Sequence, residues 1–550
     1  MQAVWLKRDL RLGDHRPLAA AIDAARADNA PAERAGGVCV LYVYEPEYWA
    51  LPDTDVRHLT ATNRALRRLR AALRERGGEL VVRTGRVVDV LDELHREHGI
   101  DGLHSHEETG NFWTYQRDLA VKAWAADRGI GWTEQVQNGV VRRLRDRDGW
   151  AKNWAKRMSE PLTPTPDRIP AAKVSPVGRL ASPKSLGLPP NPNARHQQDV
   201  GEELAHRLLD SFLPRLPSDP ASHEEAHFEL PGRGERYHRE MSSPVTAFES
   251  CSRLSVHFVY GTISMRQVDQ RFREAQEAVR QMKADGVDVG TWPSALKSFG
   301  GRLRWHCHFM QKLEDQPELE WENMNRQYDA LRPGQPDPVR MAAWQSGTTG
   351  YPMVDACMRC VAQTGYLNFR MRAMVVSFAS YHLWLHWVPT SLHLARMFTD
   401  YEPGIHYPQH QMQSGTTGIN TVRIYSPIKQ VQDQDPEGVF IRRWVPELRG
   451  VPKKFLPEPH RMDAAEQAAA GCVIGVDYPP PIVDHKTAYA EARSRVSAIR
   501  RTASAREEAS EVLKRHGSRK SPERRRGQRN AAKAAKAAKA AKVAKAATAD

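Results

Sequence analysis

The sequence predicts two structural parts, an α/β part with a parallel sheet followed by an all-α part. Short apolar strands alternate with amphipathic helices in the first hundred or so residues, and this alternation is typical of a parallel sheet covered by helices. From about residue 235 to residue 478 the pattern becomes helical and rich in tryptophan. The length of 550 residues agrees with two parts, because a single core rarely serves so long a chain.

The first part begins with elements that hydrophobic periodicity locates. Apolar runs at 38–43 and 80–82 predict strands. Residues 59–76 have helical spacing, with Leu66, Leu69 and Leu73 on one stripe. We therefore expect an α/β domain with a Rossmann-like parallel sheet at residues 1–135.

The rest of the chain divides by composition. A polar, proline-rich stretch from about Pro161 to Pro220 predicts an interdomain linker, which we place at 136–220. An all-helical domain follows at 221–485. We expect residues 486–550 to be a basic, disordered tail, because the Ala-Ala-Lys repeat from Ala531 to Ala547 has no apolar face that packs on a core.

Charge and cysteine content limit the class of protein. The net charge is +14, but residues 486–550 carry 19 Lys and Arg against 6 Asp and Glu, so the body is nearly neutral. Any nucleic-acid site on the body is therefore a local patch. Six cysteines in this length indicate reduced thiols. No run of 18 apolar residues or signal peptide is evident, so we expect a cytoplasmic protein with no membrane partner.

Several segments resemble one known family in order and in near-family spacing. They are VWLKRDLRLGD at 4–14, SRLS at 252–255, GTIS at 261–264, WQSGTTGYPMVDA at 344–356, RMR at 370–372 and RRWVPEL at 442–448. Together they resemble the photolyase/cryptochrome family of blue-light flavoproteins. The resemblance implies an α/β antenna domain, a helical FAD domain and UV-damaged DNA as the partner.

The resemblance implies a set of FAD contacts. Ser252 and Ser255, with Arg253 and Leu254 between them, match the phosphate-binding stretch, although SRLS alone is as typical of a helix N-cap. Tyr237 resembles a tyrosine that packs near the cofactor just upstream.

The flavin ring has its own set of implied neighbours. Arg372 and Asp400 resemble an ion pair beside the ring, and Glu402 stands where the family has an aspartate that accepts from flavin N3. His406 matches the residue facing flavin N5. It is either a group that titrates near neutral pH and donates a proton, or a histidine held by backbone contacts.

The resemblance also implies DNA-binding and electron-transfer residues, with departures. Trp305 matches the tryptophan that stacks on an extruded lesion. Arg302 replaces a glutamate and Phe369 an asparagine of the cyclobutane-dimer enzymes, while Trp387 matches the middle member of an electron-relaying tryptophan series. His410 occupies the member of that series nearest the flavin.

Two functions follow from the resemblance. The first is light-driven splitting of pyrimidine dimers, either cyclobutane or (6-4), by electron transfer from reduced FAD. The alternative is a cryptochrome-like photoreceptor without repair. In the first domain Glu108 is the candidate contact for an antenna chromophore. The family draws this chromophore from folates, deazaflavins and flavins, and the alternative is an empty pocket.

Overall fold

The computed structural model describes residues 1–27, 36–215 and 232–518. Its strands are β1 (Gln2–Leu6), β2 (Val38–Tyr44), β3 (Leu80–Thr84), β4 (Gly102–His106) and β5 (Gly131–Gln135). The helices among and just after the strands are α1 (Arg16–Ala27), α2 (Pro46–Trp49), α3 (Val56–Arg74), α4 (Val87–His98), α5 (Phe112–Asp127), α6 (Trp150–Met158) and α7 (Glu202–Phe212).

The second part is helical in the residues described. Its helices are α8 (Tyr237–Glu240), α9 (Ala247–Ser250), α10 (Ser255–Val259), α11 (Met265–Ala284), α12 (Trp292–Asp315), α13 (Pro338–Ser346), α14 (Pro352–Thr364), α15 (Phe369–Ser377), α16 (Trp387–Met397), α17 (Pro403–Ser414), α18 (Pro427–Gln434), α19 (Val439–Trp444), α20 (Ala464–Ala470), α21 (His485–Arg500) and α22 (Ala503–His516). A π-helical turn, Phe378–His382, continues α15.

The sheet of the first part is parallel, with the strand order β3-β2-β1-β4-β5. Alternate residues of a strand face opposite sides, and here both sides are covered. Val4 and Val40 pack in a core with α1 and α3, whereas Trp5 and Leu41 pack with α4 and α5. This two-sided burial explains why the strands are apolar throughout, and it confirms the predicted fold class.

Helices of the second part surround a core that holds the site. Helices α12 and α17 cross closely, since a Cβ added at Gly404 would lie 2.7 Å from the Cα of Met310. Further apolar side chains of α14, α15 and α16 fill the interior, among them Met353, Met374 and Leu394. The structure thereby places α10, α12, α15 and α17 around a shared space.

The domain boundaries differ from the prediction in two places. The expected linker at 136–220 contains α6 and α7, whose Trp154 and Leu209 are buried in the core of the helical domain. The expected tail begins later than residue 486, because α21 and α22 pack on the body through Val496 and Val512. Residues 519–550, with the Ala-Ala-Lys repeat, lie outside the described residues. None of the described helices is long and apolar enough to cross a membrane.

Candidate functional site

A cavity of about 470 Å³ opens between α10, α12, α15 and α17. This volume falls in the range of ~300–1,000 Å³ typical of cofactor pockets. All the residues for which the sequence predicted a FAD contact lie on its wall: Tyr237, Ser252, Arg253, Leu254, Ser255, Arg372, Asp400, Glu402 and His406. The three predicted DNA contacts, Arg302, Trp305 and Phe369, line it too. The fold thus brings together residues that are up to 169 positions apart in the sequence.

The turn before α10 forms one end of the cavity. Arg253 adopts a left-handed backbone conformation with φ +62°, which costs a non-glycine residue about 1–2 kcal/mol. Its guanidinium lies 3.6 Å from the Tyr366 ring centroid and donates to Gln198 Oε1. One nitrogen, Nη1, is buried with no hydrogen-bond partner among the described residues. A strained, cationic turn flanked by two serines fits an anionic group such as a diphosphate.

Arg372 and Asp400 form the predicted ion pair. Arg372 Nη2 donates to both carboxylate oxygens of Asp400, at 2.8 and 2.7 Å. Its Nε donates to the Leu367 carbonyl at 2.7 Å, and the guanidinium lies 4.0 Å from the Phe398 ring centroid. These contacts fix a positive charge on the cavity wall, where it lowers the cost of a negative charge on a bound ring system.

Glu402 also lies on the wall, but it is paired across the domain boundary. Arg8, from the turn after β1, contacts its carboxylate at 2.9 Å and donates to the Val259 carbonyl. Burial raises the pKa of Glu402, and Arg8 opposes the rise. The sequence reasoning missed Arg8, although it lies in the segment at 4–14 that carried the resemblance.

His406 and His410 stand one turn apart on α17, with ring centroids 4.1 Å apart. His406 Nε2 lies 2.9 Å from the Ser391 carbonyl oxygen. Since a carbonyl only accepts, Nε2 carries the proton and Nδ1 holds a lone pair. Burial and the neighbouring His410 lower the pKa of His406 well below its usual value. The backbone contact and the lowered pKa favour the alternative of a histidine held by backbone contacts over a group that titrates near neutral pH.

The mouth of the cavity combines aromatic rings with a cation. Trp305 and Phe369 are 50% and 45% exposed and line the same cavity, and exposed apolar side chains that are grouped together mark binding surfaces. The Arg302 guanidinium lies 4.9 Å from the Phe369 ring centroid, and Trp305 packs on Phe309. Aromatic faces beside a guanidinium are suited to unstacked nucleic-acid bases.

Two predicted residues lie outside this cavity. Trp387 is buried, donates from Nε1 to Asn323 Oδ1 at 2.7 Å and contacts Tyr407 rather than the wall. Glu108 is ion-paired to Arg117 in the α/β domain. The space beside it, which Trp5, Tyr48 and Tyr401 also line, measures about 70 Å³ and is much smaller than the first cavity.

Known proteins match this chain along most of its length. The family model described as DNA photolyase matches residues 2–163, and the FAD binding domain of DNA photolyase matches residues 299–498. A deoxyribodipyrimidine photo-lyase of Salmonella typhimurium is 28% identical, covering 91% of this chain and 99% of its own length. A cryptochrome DASH of Natronomonas pharaonis is 25% identical, covering 88% and 98%.

A solved structure shares the fold. The bacterial class III photolyase from Agrobacterium tumefaciens superposes with a TM-score of 0.75 at 26% identity, covering 91% of this chain and 98% of that one. The two family models follow each other along this chain, and the superposed structure covers most of it. The chain therefore belongs to the DNA photolyase/cryptochrome family and carries the FAD-binding domain of that family.

Proposed function

We propose that this chain is a light-driven DNA repair flavoprotein that splits pyrimidine dimers. The observation that supports this most is the mouth of the FAD cavity, where Trp305 exposes half its surface beside Phe369 and Arg302. Relatives named both deoxyribodipyrimidine photo-lyase and cryptochrome DASH match the chain, so the choice between repair and light sensing depends on this mouth.

The chain's own residues have three tasks in this proposal. Trp305 and Phe369 hold a flipped lesion by stacking, which contributes about 1–3 kcal/mol per base. Arg302 donates to lesion carbonyls or to a flanking phosphate, a role that a cation fills in place of a carboxyl group. Bound FAD, once reduced and excited by light, supplies the electron that opens the dimer and takes it back afterwards. Arg372 holds compensating positive charge on the cavity wall.

A cryptochrome-like photoreceptor is the second candidate, and specific residues favour it. Arg302 and Phe369 replace the lesion-binding residues implied by the family resemblance. The resemblance also implies a pair of histidines in the (6-4) photolyases, and Phe369 and Ala373 stand at those two positions. A photoreceptor needs the FAD cavity without a lesion site. In that case Arg302 and Phe369 close an unused pocket through their cation–π contact.

The deciding experiment supplies both lesions to the reduced protein. Purified, photoreduced protein is mixed with oligonucleotides carrying one cyclobutane dimer or one (6-4) product and exposed to blue light, with dark samples as controls. Light-dependent loss of either lesion supports repair and identifies the substrate. If neither lesion is repaired, with FAD bound and fully reduced, the result contradicts the proposal and favours the photoreceptor.

The proposal extends to an antenna chromophore and to the state of the protein in the cell. Glu108 is the proposed antenna contact; since Arg117 occupies it, binding requires that the ion pair open. We place the protein in the cytoplasm as a monomer that acts on UV-damaged DNA. Absorbance of purified protein after removal of FAD, and sedimentation of the same sample, test these two points.

A further inference from the structure

Three buried side chains form a hydrogen-bonded cluster that the proposed repair reaction does not use. Tyr401 donates to Asp53 Oδ2 at 2.5 Å, and the Tyr407 hydroxyl lies 3.2 Å from the same oxygen. The two hydroxyls are 3.1 Å apart. Tyr401, Tyr407 and Asp53 are 7%, 2% and 4% exposed. Asp53 comes from the turn before α3, so the cluster spans the two domains.

The cluster lies directly behind the FAD cavity. His406 lines the cavity, and its ring centroid is 5.1 Å from that of Tyr401 and 5.5 Å from that of Tyr407, both edge to face. Trp387 follows at 6.4 Å from Tyr407. One histidine ring therefore separates two phenols from the cofactor space, with rings in contact throughout.

The chemistry of the cluster is that of a proton-coupled electron donor. Burial and Asp53 raise the pKa of Tyr401 well above its usual value, so the phenol is protonated at rest. An oxidised phenol is strongly acidic and must lose its proton, and a bare cation in this interior is costly. Asp53 supplies an acceptor at hydrogen-bond distance. Its other oxygen, Oδ1, is buried and has no hydrogen-bond partner among the described residues.

We propose that Tyr401 and Tyr407 form a redox-active pair that reduces the light-excited flavin, with Asp53 as the proton acceptor. One electron leaves the phenol ring for the bound FAD, which is the oxidant. The O–H bond breaks, its proton moves to Asp53 Oδ2, and a neutral phenoxyl radical remains. The proton on Asp53 Oδ2 then returns to the phenoxyl oxygen together with one electron from an external thiolate, which becomes a thiyl radical. Two such turnovers deliver two electrons to FAD and give one disulfide. The inference relies on the light-driven function proposed above.

This arrangement accounts for two departures in the sequence. The position nearest the flavin in the family's tryptophan series holds His410. A buried imidazole gives up one electron less easily than the indole of tryptophan. Trp387, the middle member, contacts Tyr407 instead of the cavity wall. The tyrosine pair lies between Trp387 and His406 and restores a continuous path of rings.

The alternative is a purely structural clamp between the domains. Both explanations predict lower stability when a hydroxyl is removed, because each buried hydrogen bond contributes about 0.5–1.5 kcal/mol. Only the redox explanation predicts a change in photochemistry. Tyr→Phe substitutions separate the two, since they keep the rings and remove the ionisable group.

The experiment follows light-driven reduction of FAD in the full-length holoprotein with a dithiol and without DNA. Variants are Tyr401→Phe, Tyr407→Phe, the double variant and Asp53→Asn. The control is Tyr478→Phe, which removes another buried tyrosine-carboxylate bond, 2.6 Å to Asp355, away from the cavity. FAD content and melting temperature are recorded for the parent and all five variants.

We expect the double variant to photoreduce at least about tenfold more slowly, a barrier change of about 1.4 kcal/mol. We also expect the light-induced tyrosyl radical in its electron paramagnetic resonance spectrum to disappear. Asp53→Asn is expected to slow the reaction and to change its solvent deuterium isotope effect, while Tyr478→Phe matches the parent. Parent-like rates and radical signal in the double variant, with only a lower melting temperature, overturn the proposal in favour of the clamp. A parent protein that photoreduces but repairs no lesion contradicts the repair function alone.

Discussion

At the scale of single residues, the fixed charge of Arg372 has a specific energetic consequence. Asp400→Asn keeps the shape of the partner and removes its charge, so Arg372 Nη2 is left with one neutral amide oxygen in place of two carboxylate oxygens. We expect FAD affinity to fall by about 1–3 kcal/mol, measured by fluorescence titration of apoprotein with FAD. The matched control is Glu447→Gln, which weakens another bidentate arginine pair, with Arg359, outside the cavity. Equal losses in both variants would mean a general effect on stability.

Trp305 provides a second prediction at this scale. Because half of the side chain is exposed, Trp305→Ala leaves no core cavity, and FAD content and melting temperature should match the parent. Binding of lesion-containing DNA is expected to weaken by about 1–3 kcal/mol, measured by fluorescence anisotropy. Trp321→Ala is the control, since Trp321 is 46% exposed and lies outside the cavity wall. If Trp305→Ala binds lesion-containing DNA as tightly as the parent, the lesion site does not lie at the cavity mouth.

Pairs of residues that are distant in the sequence could be predicted only in part. Arg372 and Asp400 are separated by 28 positions, and no periodicity joins them; only resemblance paired them, and the structure shows the pair. Arg8 with Glu402 and Asp53 with Tyr401 link different domains. Such pairs depend on how the domains dock, which local propensity does not encode. The neutral state of His406 likewise follows from burial, which its neighbours in sequence do not reveal.

At the scale of elements, the cavity depends on how closely α17 approaches α12. Gly404 has no side chain to separate them, and a Cβ there would lie 2.7 Å from the Met310 Cα. Gly404→Ala forces the helices apart at a cost of about 1–3 kcal/mol. Because Glu402 and His406 flank this position on the cavity wall, we expect lower FAD content together with a lower melting temperature.

The control for this prediction is in α12 itself. A Cβ at Gly301 meets nothing within 4 Å. Because alanine loses less conformational entropy than glycine in a helix interior, Gly301→Ala is expected to raise the free energy of unfolding by about 0.5–1 kcal/mol. Differential scanning fluorimetry and the ratio of flavin to protein absorbance measure both variants. If the two alanine variants behave alike, close packing of α12 and α17 does not shape the cavity.

Element boundaries were predictable where the apolar pattern is strong. The strands β2 and β3 and the helix α3 match their predicted runs within a few residues, because two-sided burial leaves few polar positions. Helices α21 and α22 were predicted as disordered tail. Each buries only a few side chains, such as Ala492 and Val512, among many exposed charges, so their order depends on a surface that the sequence does not display.

At the scale of the whole molecule, buried histidines make stability sensitive to acid. Burial lowers the pKa of several of them to about 3 or about 4, namely His106, His257, His306, His308, His382, His393 and His410. In the unfolded chain histidines titrate near about 6.5. As pH falls below that value the unfolded state binds protons that the folded state excludes, so stability decreases.

Buried carboxyls with a raised pKa oppose this effect, and two of them do so near neutral pH. Burial raises the pKa of Glu314 to about 7 and of Glu320 to about 8, and protonation there favours the folded state as pH falls. These seven histidines outnumber the two carboxyls, so we expect the melting temperature to drop by several degrees between about pH 7 and about pH 5.5. The variant His393→Gln should show a shallower decline. A melting temperature that is constant over this interval contradicts the assignment of neutral histidines.

The basic end of the chain concerns the whole molecule because it adds to whatever affinity the cavity mouth provides. Residues 519–550 carry 11 Lys and Arg against 2 Asp and Glu, and the rest of the chain is far closer to neutral. Each cation that neutralises a DNA phosphate contributes about 0.9 to the slope of log affinity against log salt. Deletion after Ser518 should therefore lower that slope by several units, to a limit of about 10 if all 11 cations contact phosphates.

The deletion should weaken binding of undamaged DNA and of damaged DNA by the same factor, because contacts with phosphates do not distinguish a lesion from normal bases. Fluorescence anisotropy at several salt concentrations, on paired oligonucleotides with and without a dimer, measures both the slope and the ratio. A full-length variant with the five tail lysines from Lys533 to Lys545 changed to glutamine separates charge from chain length. An unchanged slope in the deletion means that the tail does not contact DNA, and discrimination between lesion and normal DNA then depends on the Trp305 mouth alone.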